Sequence, residues 1–203
     1  MKLLVATKNP GKLKEFRELL AGLPVELTSL AELHLDVEVA ETGDSYAENA
    51  LQKARECCRV SGFCTLADDS GLEVDALGGR PGIRSARYGG SGLSDSDRVT
   101  LLLSELESTA QEQRTAHFRA AIAIVCQDSR SWVVEGQCDG VISRQPIGEN
   151  GFGYDPIFYL PDRQLTMAQL PEDEKNRISH RAQAARKARA LLAKEFGGAE
   201  RDA

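Results

Sequence analysis

The feature that most constrains the fold is a short apolar run that ends in two adjacent carboxylates. The run 65–67 is followed directly by Asp68, Asp69, Ser70 and Gly71. Such a run is typical of a buried strand, and open α/β sheets place their chemistry beyond the carboxyl ends of the strands. The pattern therefore predicts an α/β protein with acids at one edge of its sheet. An ordinary turn is the alternative, because the same residue types dominate turns for local reasons.

A second strand and turn stand at the start of the chain. Residues 2–6 are mostly apolar and predict a buried strand, and a helix with a regular apolar face follows the break. A turn from strand to helix offers backbone N–H groups and the positive end of the helix dipole, which favour an anion. Helix capping beside a solvated lysine explains the turn equally well. The turn residues are Thr7, Lys8, Asn9, Pro10, Gly11 and Lys12.

The next helix is predicted over residues 45–60, after an acidic loop that contains Glu41. Asn49 and Lys53 are four residues apart and share the border of its apolar face. Lys53 can therefore lean over a crevice, although most lysines at such borders are only solvated. Glu41 has the same plain alternative as a solvated acid.

The middle of the chain predicts a loop, a helix and a hairpin. The loop 78–90 is dense in glycine and arginine, and its use stays open between phosphate binding and contact with a partner subunit. The helix over 95–106 is assigned to packing alone. Strand formers over 117–125 and 132–134, around a turn signal, predict an antiparallel hairpin. Because the rest of the chain alternates strand and helix, we expect a mixed central β-sheet flanked by helices.

Two segments near the carboxyl terminus combine polar and aromatic side chains. Glycines on both sides of Phe152 allow a flat ligand to approach the backbone, the ring can stack on it, and Asp155 can accept hydrogen bonds. A turn with core aromatics is the alternative, and it is preferred for Tyr154. Farther along, Ser179 is expected to cap an alanine-rich helix. Its positive end would gather Lys175, His180 and Arg181, which favours an anionic or carbonyl-bearing ligand.

Composition limits the class of partner and the cellular compartment. The 203-residue chain carries a net charge of −6, which argues against coating a nucleic-acid polymer. It contains no apolar segment long enough for a signal peptide or a membrane span, so we expect no membrane partner. The five cysteines suit neither a disulfide framework nor a zinc site. We therefore expect a reducing compartment and a cytoplasmic protein. The chain is also expected to form one domain over 1–196, followed by a flexible tail over 197–203.

Seven motifs in order resemble the inosine triphosphate pyrophosphatase family, from near residue 3 to near residue 195. One such motif is weak evidence, whereas seven in sequence are highly specific. The motifs are Thr7–Lys12, Glu41–Gly43, Glu48–Ala50 with Lys53, Asp68–Gly71, Pro81–Ile83 with Ser85–Tyr88, Gly151–Pro156 and Ser179–Arg181.

The resemblance implies a two-lobed α/β fold with the active site in a cleft, a homodimer, and Mg²⁺-dependent attack of water on the α-phosphorus of purine nucleoside triphosphates such as ITP, dITP and XTP. It implies catalytic roles for Asp69, Lys53 and Asp68, with Asp69 activating the water. It implies Glu41 and Asp69 as metal ligands. The implied substrate-binding residues are Thr7, Lys8, Asn9, Pro10, Gly11, Lys12, Ser70, Phe152, Gly153, Tyr154, Asp155, Lys175, His180 and Arg181.

The residues make physical sense of that activity. Lysine and arginine compensate the charge of a triphosphate, and Mg²⁺ prefers carboxylate oxygen. Donors facing the 6-oxo edge of hypoxanthine or xanthine would meet the 6-amino group of adenine, itself a donor, and so reject ATP. Two alternatives remain open: a non-catalytic nucleotide sensor, and a Maf-like pyrophosphatase for modified pyrimidine nucleotides.

Overall fold

The computed structural model describes residues 1–197, which contain seven strands and five α-helices joined by loops and short 3-10 segments. The strands are β1 (Lys2–Val5), β2 (Glu26–Ser29), β3 (Cys64–Val74), β4 (Thr115–Val125), β5 (Ser131–Ile142), β6 (Phe158–Leu160) and β7 (Leu165–Thr166). The helices are α1 (Pro10–Leu19), α2 (Tyr46–Ser61), α3 (Asp95–Glu105), α4 (Glu172–Ile178) and α5 (His180–Phe196).

The strands form one sheet in the order β2-β1-β3-β4-β5-β6-β7. Strand β1 runs parallel to β2 and to β3, whereas β6 is antiparallel to both β5 and β7. The expected mixed sheet flanked by helices is therefore confirmed. Strands β4 and β5 are neighbours joined by a short loop, as expected for a hairpin.

The position of the two acids relative to the strand end differs from the expectation. Strand β3 does not stop before Asp68 and Asp69 but continues through them to Val74. Its parallel pairing with β1 nevertheless ends at Leu66, which pairs with Val5. The acids lie beyond the end of β1 although they lie inside β3.

The described chain forms two compact units, and each has a hydrophobic core of its own. Unit 1 comprises residues 1–69, 120–136 and 181 onward, and unit 2 comprises 70–119 and 137–180. The core of unit 1 packs Leu3, Leu66 and Ile122 of the sheet against Phe16 of α1 and Ala188 of α5. The core of unit 2 is built from side chains of α3, β3–β6 and the segments that follow them: Leu72, Val99, Leu102, Phe118, Ile157 and Phe158.

The helix ends follow from local sequence. Ser45 caps α2, because its Oγ accepts a hydrogen bond from Glu48 N at 3.2 Å, and Gly62 ends the helix in the left-handed conformation. Ser94 and Asp97 form a capping box at the start of α3. Both helices begin and end close to the predicted residues.

The carboxyl-terminal segment agrees with the prediction in part. Helix α5 begins at His180, directly after the expected cap Ser179, whose backbone is extended with ψ of 154°. A separate helix, α4, precedes Ser179 and was not predicted. Lys175 therefore belongs to α4, while His180 and Arg181 open α5. The predicted tail, from residue 198 onward, lies outside the described residues.

The cysteines are a second correction. Cys64, the first residue of β3, forms a disulfide with Cys126, which directly follows β4. Cys57, Cys58 and Cys138 are buried free thiols. The expectation of no disulfide was wrong because spacing along the chain does not reveal which residues of neighbouring strands face each other. A reducing compartment therefore does not follow from the cysteines.

None of the helices in residues 1–197 combines the length and the apolar character that a membrane span requires.

Candidate active site

The centre of unit 1 is a buried carboxylate surrounded by cations. Asp68 is 2% exposed, and its Oδ1 lies 3.1 Å from Lys12 Nζ while its Oδ2 accepts a hydrogen bond from Arg181 Nε at 3.3 Å. Lys53 Nζ donates to the Asp68 carbonyl oxygen at 3.2 Å. Burial opposes ionisation of this carboxyl, but the three cations outweigh it and hold the pKa of Asp68 well below its usual range. Asp68 is therefore a permanent anion that orders three positive side chains.

A fifth member of this cluster was not predicted from the sequence. Glu15 of α1 is 5% exposed, and its Oε2 accepts a hydrogen bond from Arg181 Nη1 at 2.6 Å. Arg181 is itself 2% exposed and lies between two carboxylates, so its pKa is raised further. The signal was present in the spacing, since Lys12 and Glu15 are three residues apart and share one face of the helix.

The loop before α2 supplies the next ion pair. Glu41 Oε1 lies 2.6 Å from Lys53 Nζ, and both side chains are about one-fifth exposed. Burial lowers the affinity of Lys53 for its proton, but Glu41 outweighs it and raises the pKa of the ammonium. Lys53 therefore stays charged and joins the loop acid to the backbone beside Asp68.

Asp69 has a different environment from Asp68. Asn49 of α2, which is 1% exposed, donates from Nδ2 to Asp69 Oδ2 at 3.0 Å and orients the carboxylate. Burial and the charge of Glu41 raise the pKa of Asp69, and the bond from Asn49 only partly opposes this. A carboxyl with a raised pKa accepts a proton more readily, which suits a general base.

The carboxylates present at the site show whether the residues expected to hold a metal suit one. In residues 1–197 no group of three or more His, Cys, Asp or Glu side chains is arranged to hold a metal ion. Mg²⁺ does not need such a cage, because it is usually bound through one or two carboxylates together with waters and substrate phosphates. Burial is the main cause of the raised pKa of Asp69, and repulsion by the Glu41 carboxylate adds to it. A divalent cation would relieve that repulsion, so the pair fits Mg²⁺.

The turn 7–12 contributes its residues in different ways. Asn9 caps α1 by accepting from Lys12 N at 3.1 Å, and Thr7 Oγ1 accepts from Asn9 N at 3.1 Å. Lys8 is half-exposed and pairs with Asp36 at 2.6 Å. Pro10 and Gly11 form the first turn of α1. The capping alternative is therefore observed for Asn9, while Thr7 and Lys8 also line a cavity of about 610 Å³ with Glu41, Lys53 and Cys57.

Unit 2 carries a second cluster around Phe152. Lys175 Nζ of α4 lies 4.6 Å from the centre of the Phe152 ring and donates to Asp155 Oδ2 at 2.7 Å. Asp155 Oδ2 also accepts from Phe152 N at 3.0 Å. Lys175 and Asp155 are both less than one-tenth exposed. One carboxylate therefore fixes both the backbone of Phe152 and the ammonium over its ring.

The glycines beside Phe152 make this arrangement possible. Gly151 and Gly153 have φ of 78° and 62°, in the left-handed region that other residues rarely adopt. A Cβ on Gly151 would lie 2.1 Å from Asp155 Oδ2. Tyr154 is buried in the core of unit 2, in agreement with the preferred interpretation of this residue as a core aromatic. Its hydroxyl donates to the Ser85 carbonyl oxygen at 3.0 Å.

Two other predicted site residues belong to unit 2. His180 is 5% exposed and stacks on Phe118, with ring centres 4.7 Å apart. Ser70 follows Asp69 along β3 and is partly buried.

The chain is similar to known proteins over most of its length. The family model described as the Ham1 family matches residues 3–191. A dITP/XTP pyrophosphatase of Geobacillus kaustophilus is 51% identical over 182 residues, which cover 90% of this chain and 89% of the relative. A dITP/XTP pyrophosphatase of Bacillus subtilis is 48% identical over 189 residues, which cover 93% and 96%.

Solved structures give the same result. A HAM1 protein from Coxiella burnetii is 39% identical, with a TM-score of 0.87 over 96% of this chain and 99% of that one. The Ham1 protein of Staphylococcus aureus is 39% identical, with a TM-score of 0.86 over 96% of this chain and 100% of that one. The resemblance inferred from seven motifs is thus confirmed, and the chain belongs to the Ham1 family.

Proposed function

We propose that this protein hydrolyses non-canonical purine nucleoside triphosphates, namely ITP, dITP and XTP, to the nucleoside monophosphate and pyrophosphate. The observation that carries the proposal is the unit 1 cluster, in which three ordered cations stand beside a carboxyl whose pKa is raised. The names of the relatives, dITP/XTP pyrophosphatases, support the choice of purine substrates.

The triphosphate is assigned to unit 1. Lys12, Lys53 and Arg181 supply positive charge, and Asp68 holds them in place, which makes Asp68 an organiser of the catalytic group. Thr7, Lys8 and Asn9 with Pro10 and Gly11 form the start of α1, where the helix dipole favours a phosphate. Ser70, next to Asp69, is assigned to the same ligand.

Asp69 is the proposed general base. It takes a proton from the attacking water while the water oxygen bonds to the α-phosphorus. The bond from that phosphorus to the bridging oxygen breaks, and pyrophosphate leaves with the electron pair. Asn49 keeps the carboxylate oriented during the transfer, because it donates to Asp69 Oδ2. Mg²⁺ held by Glu41 and Asp69 would lower the pKa of the water and offset phosphate charge.

The base is assigned to unit 2. Phe152 provides the stacking surface, Gly153 and Tyr154 shape the loop, and Asp155 holds the ring and Lys175 together. Lys175 and His180 are the proposed donors to the 6-oxo group of hypoxanthine or xanthine. The 6-amino group of adenine would face these donors with no acceptor, which leaves buried polar groups unpaired and disfavours ATP.

The test is a substrate panel with product identification. The protein with Mg²⁺ is incubated separately with ITP, dITP, XTP, ATP and modified pyrimidine triphosphates, and pyrophosphate and orthophosphate are both measured. We expect pyrophosphate from the first three and far less from ATP. Orthophosphate alone would indicate attack on the terminal phosphorus, no product would favour a sensor, and preferred cleavage of the pyrimidine nucleotides would favour the Maf-like alternative.

Three further assignments are part of the proposal: Mg²⁺ as the metal, the cytoplasm as the location and a homodimer as the assembly. The carboxylate pair of Glu41 and Asp69 supports a hard cation. A metal titration with Mg²⁺, Mn²⁺ and Zn²⁺ tests the first assignment. Light scattering after gel filtration tests the third.

A further inference from the structure

The loop that carries Phe152 is held by two carboxylates from different parts of unit 2. Asp155 accepts a hydrogen bond from Phe152 N at 3.0 Å. Asp95 accepts one from the next backbone group, Gly153 N, through Oδ2 at 2.8 Å. Two consecutive N–H groups around one aromatic residue are therefore fixed, one from inside the loop and one from 58 residues away.

Asp95 is placed for this bond by the start of α3. It is the first residue of the helix, and the capping box of Ser94 and Asp97 fixes the backbone on both sides of it. Its other oxygen, Oδ1, lies 3.5 Å from Arg98 Nη1, whose side chain is only 13% exposed. The carboxylate thus connects a capped helix to the loop.

The same loop has a second anchor one residue later. The Tyr154 hydroxyl donates to Ser85 O at 3.0 Å, and Ser85 Oγ accepts from Leu72 N of β3 at 2.8 Å. The glycine-rich loop before α3 therefore ties the Phe152 loop to the strand that carries Ser70. Gly153 has a left-handed backbone and no side chain to pack. Its position therefore depends on its own bond to Asp95 and on the bond that the next residue, Tyr154, makes to Ser85.

We infer that Asp95 is a positioning residue for base recognition, which holds the Phe152 loop in the orientation that binds the purine. The inference rests on the assignment of Phe152 to the base under the proposed function. Asp95 does not contact the base itself. It acts through its hydrogen bond from Gly153 N. The helix α3, assigned from sequence to packing alone, then has a second task at its first residue.

The expected effect is on substrate binding more than on turnover. Asp95→Ala removes the acceptor for Gly153 N, and we expect KM for ITP to rise roughly three- to tenfold, as for one partly screened charge-assisted hydrogen bond. The value of kcat should change by less than about twofold, because no group that reacts is altered. Asp95→Asn keeps an amide oxygen that accepts from Gly153 N and should restore most of the binding. The Asp95 side chain is 57% exposed, so its removal leaves no buried void.

The matched control is Thr100→Gly. It replaces an exposed residue inside α3 with one of lower helix propensity, but it leaves both the capping box and the bond from Gly153 to Asp95 in place. We expect a lower melting temperature with an unchanged KM. The benchmark is Phe152→Ala, which should raise KM for ITP by about 5- to 150-fold if stacking here resembles stacking on other aromatic rings.

Each outcome is decisive. A raised KM for Asp95→Ala, restored by Asp95→Asn and absent from Thr100→Gly, supports the inference. An unchanged KM for Asp95→Ala beside a raised KM for Phe152→Ala overturns the inference and leaves the base assignment standing. An equal rise in Thr100→Gly assigns the effect to helix stability and also overturns it. An unchanged KM for Phe152→Ala removes the base from this loop, and the inference fails with it.

Discussion

Asp68 and Asp69 are adjacent in sequence, yet their pKa values shift in opposite directions. Asp68 points among cations that hold its pKa low, whereas burial and Glu41 raise the pKa of Asp69. Successive side chains of a strand point to opposite faces, so neighbours in sequence meet different surroundings. One carboxylate can therefore order cations while the other is available to accept a proton.

Replacing Asp69 tests the proposed base. In Asp69→Asn the amide is nearly the same size and can still accept from Asn49, so we expect a folded protein with kcat reduced by roughly 10² to 10⁴, the usual worth of a positioned acid-base group. Pyrophosphate release from ITP measures the change, and the melting temperature verifies folding. Activity like that of the wild type in a folded variant would remove Asp69 from this role.

Replacing Asp68 tests the cluster as a structural unit. Asp68→Asn leaves Lys12 buried without its anion and Arg181 with Glu15 alone, and we expect a loss of about 3 to 5 kcal/mol in the free energy of unfolding. Denaturant unfolding measures it. Glu26→Gln is the control, because its ion pair with Lys2 is largely exposed and should contribute less than about 1 kcal/mol. Similar losses in both variants would contradict the assignment of Asp68 as the anion that holds the buried cluster together.

At the scale of elements, the strands of unit 2 place a histidine between two acids. His117 of β4 has Nδ1 2.6 Å from Asp139 of β5 and Nε2 3.3 Å from Asp75, which directly follows β3. Asp139 and then Asp75 raise the pKa of His117 against the effect of burial. The sequence does not reveal this arrangement, because the three residues come from three separate strands or strand ends.

This arrangement predicts a pH-dependent stability. A raised pKa in the folded state means that the stabilisation is fully present below the ordinary value of about 6.5 and is lost as pH rises through the folded pKa. His117→Gln should therefore destabilise the protein more at about pH 5.5 than at about pH 8.5, as measured by thermal unfolding. His34→Gln, at an exposed histidine of unit 1, is the control. A His117→Gln difference that grows with pH would contradict the assignment.

Local sequence patterns predicted the longer helices well and the short helix before α5 less well. The helices α1, α2 and α3 begin where a capping residue satisfies the first backbone N–H groups, and such residues can be read from sequence. The start of α5 after Ser179 was predicted for the same reason, whereas the short helix α4 was missed because no side chain caps its first residues.

At the scale of the whole molecule, the interleaved units share their strands. Strand β3 contributes Leu66 to the core of unit 1 and Leu72 to the core of unit 2, and both side chains are fully buried. The boundary between the units falls inside this strand, between Asp69 and Ser70. A chain that crosses in this way cannot unfold one core without disturbing a strand of the other.

We therefore expect one cooperative unfolding transition. Leu66→Ala and Leu72→Ala should each lower the free energy of unfolding by about 2 to 5 kcal/mol without splitting the transition, because each leaves a cavity in a packed core. Denaturant unfolding followed by fluorescence and by circular dichroism measures both the loss and the coincidence of the probes. Val133→Ala, at an exposed position, should cost less than about 0.5 kcal/mol. Two separated transitions would contradict the expectation.

The sequence by itself determined the class of fold and the types of residue at the site. Strand and helix periods, caps and turns depend on residues a few positions apart, so the alternation of apolar runs was enough to predict a mixed sheet, although the two acids lie inside β3 and not beyond its end. The seven motifs were enough to indicate the family.

Only the tertiary structure decided which of those residues are partners. Arg181 reaches Asp68 across 113 positions, Asp95 reaches Gly153 across 58, and the disulfide joins cysteines 62 apart. The physical reason is that charge compensation and burial act through space. A lone aspartate in sequence carries no mark of whether cations will hold its pKa low or a second acid will raise it, because the neighbours that decide this are brought in by other strands and helices.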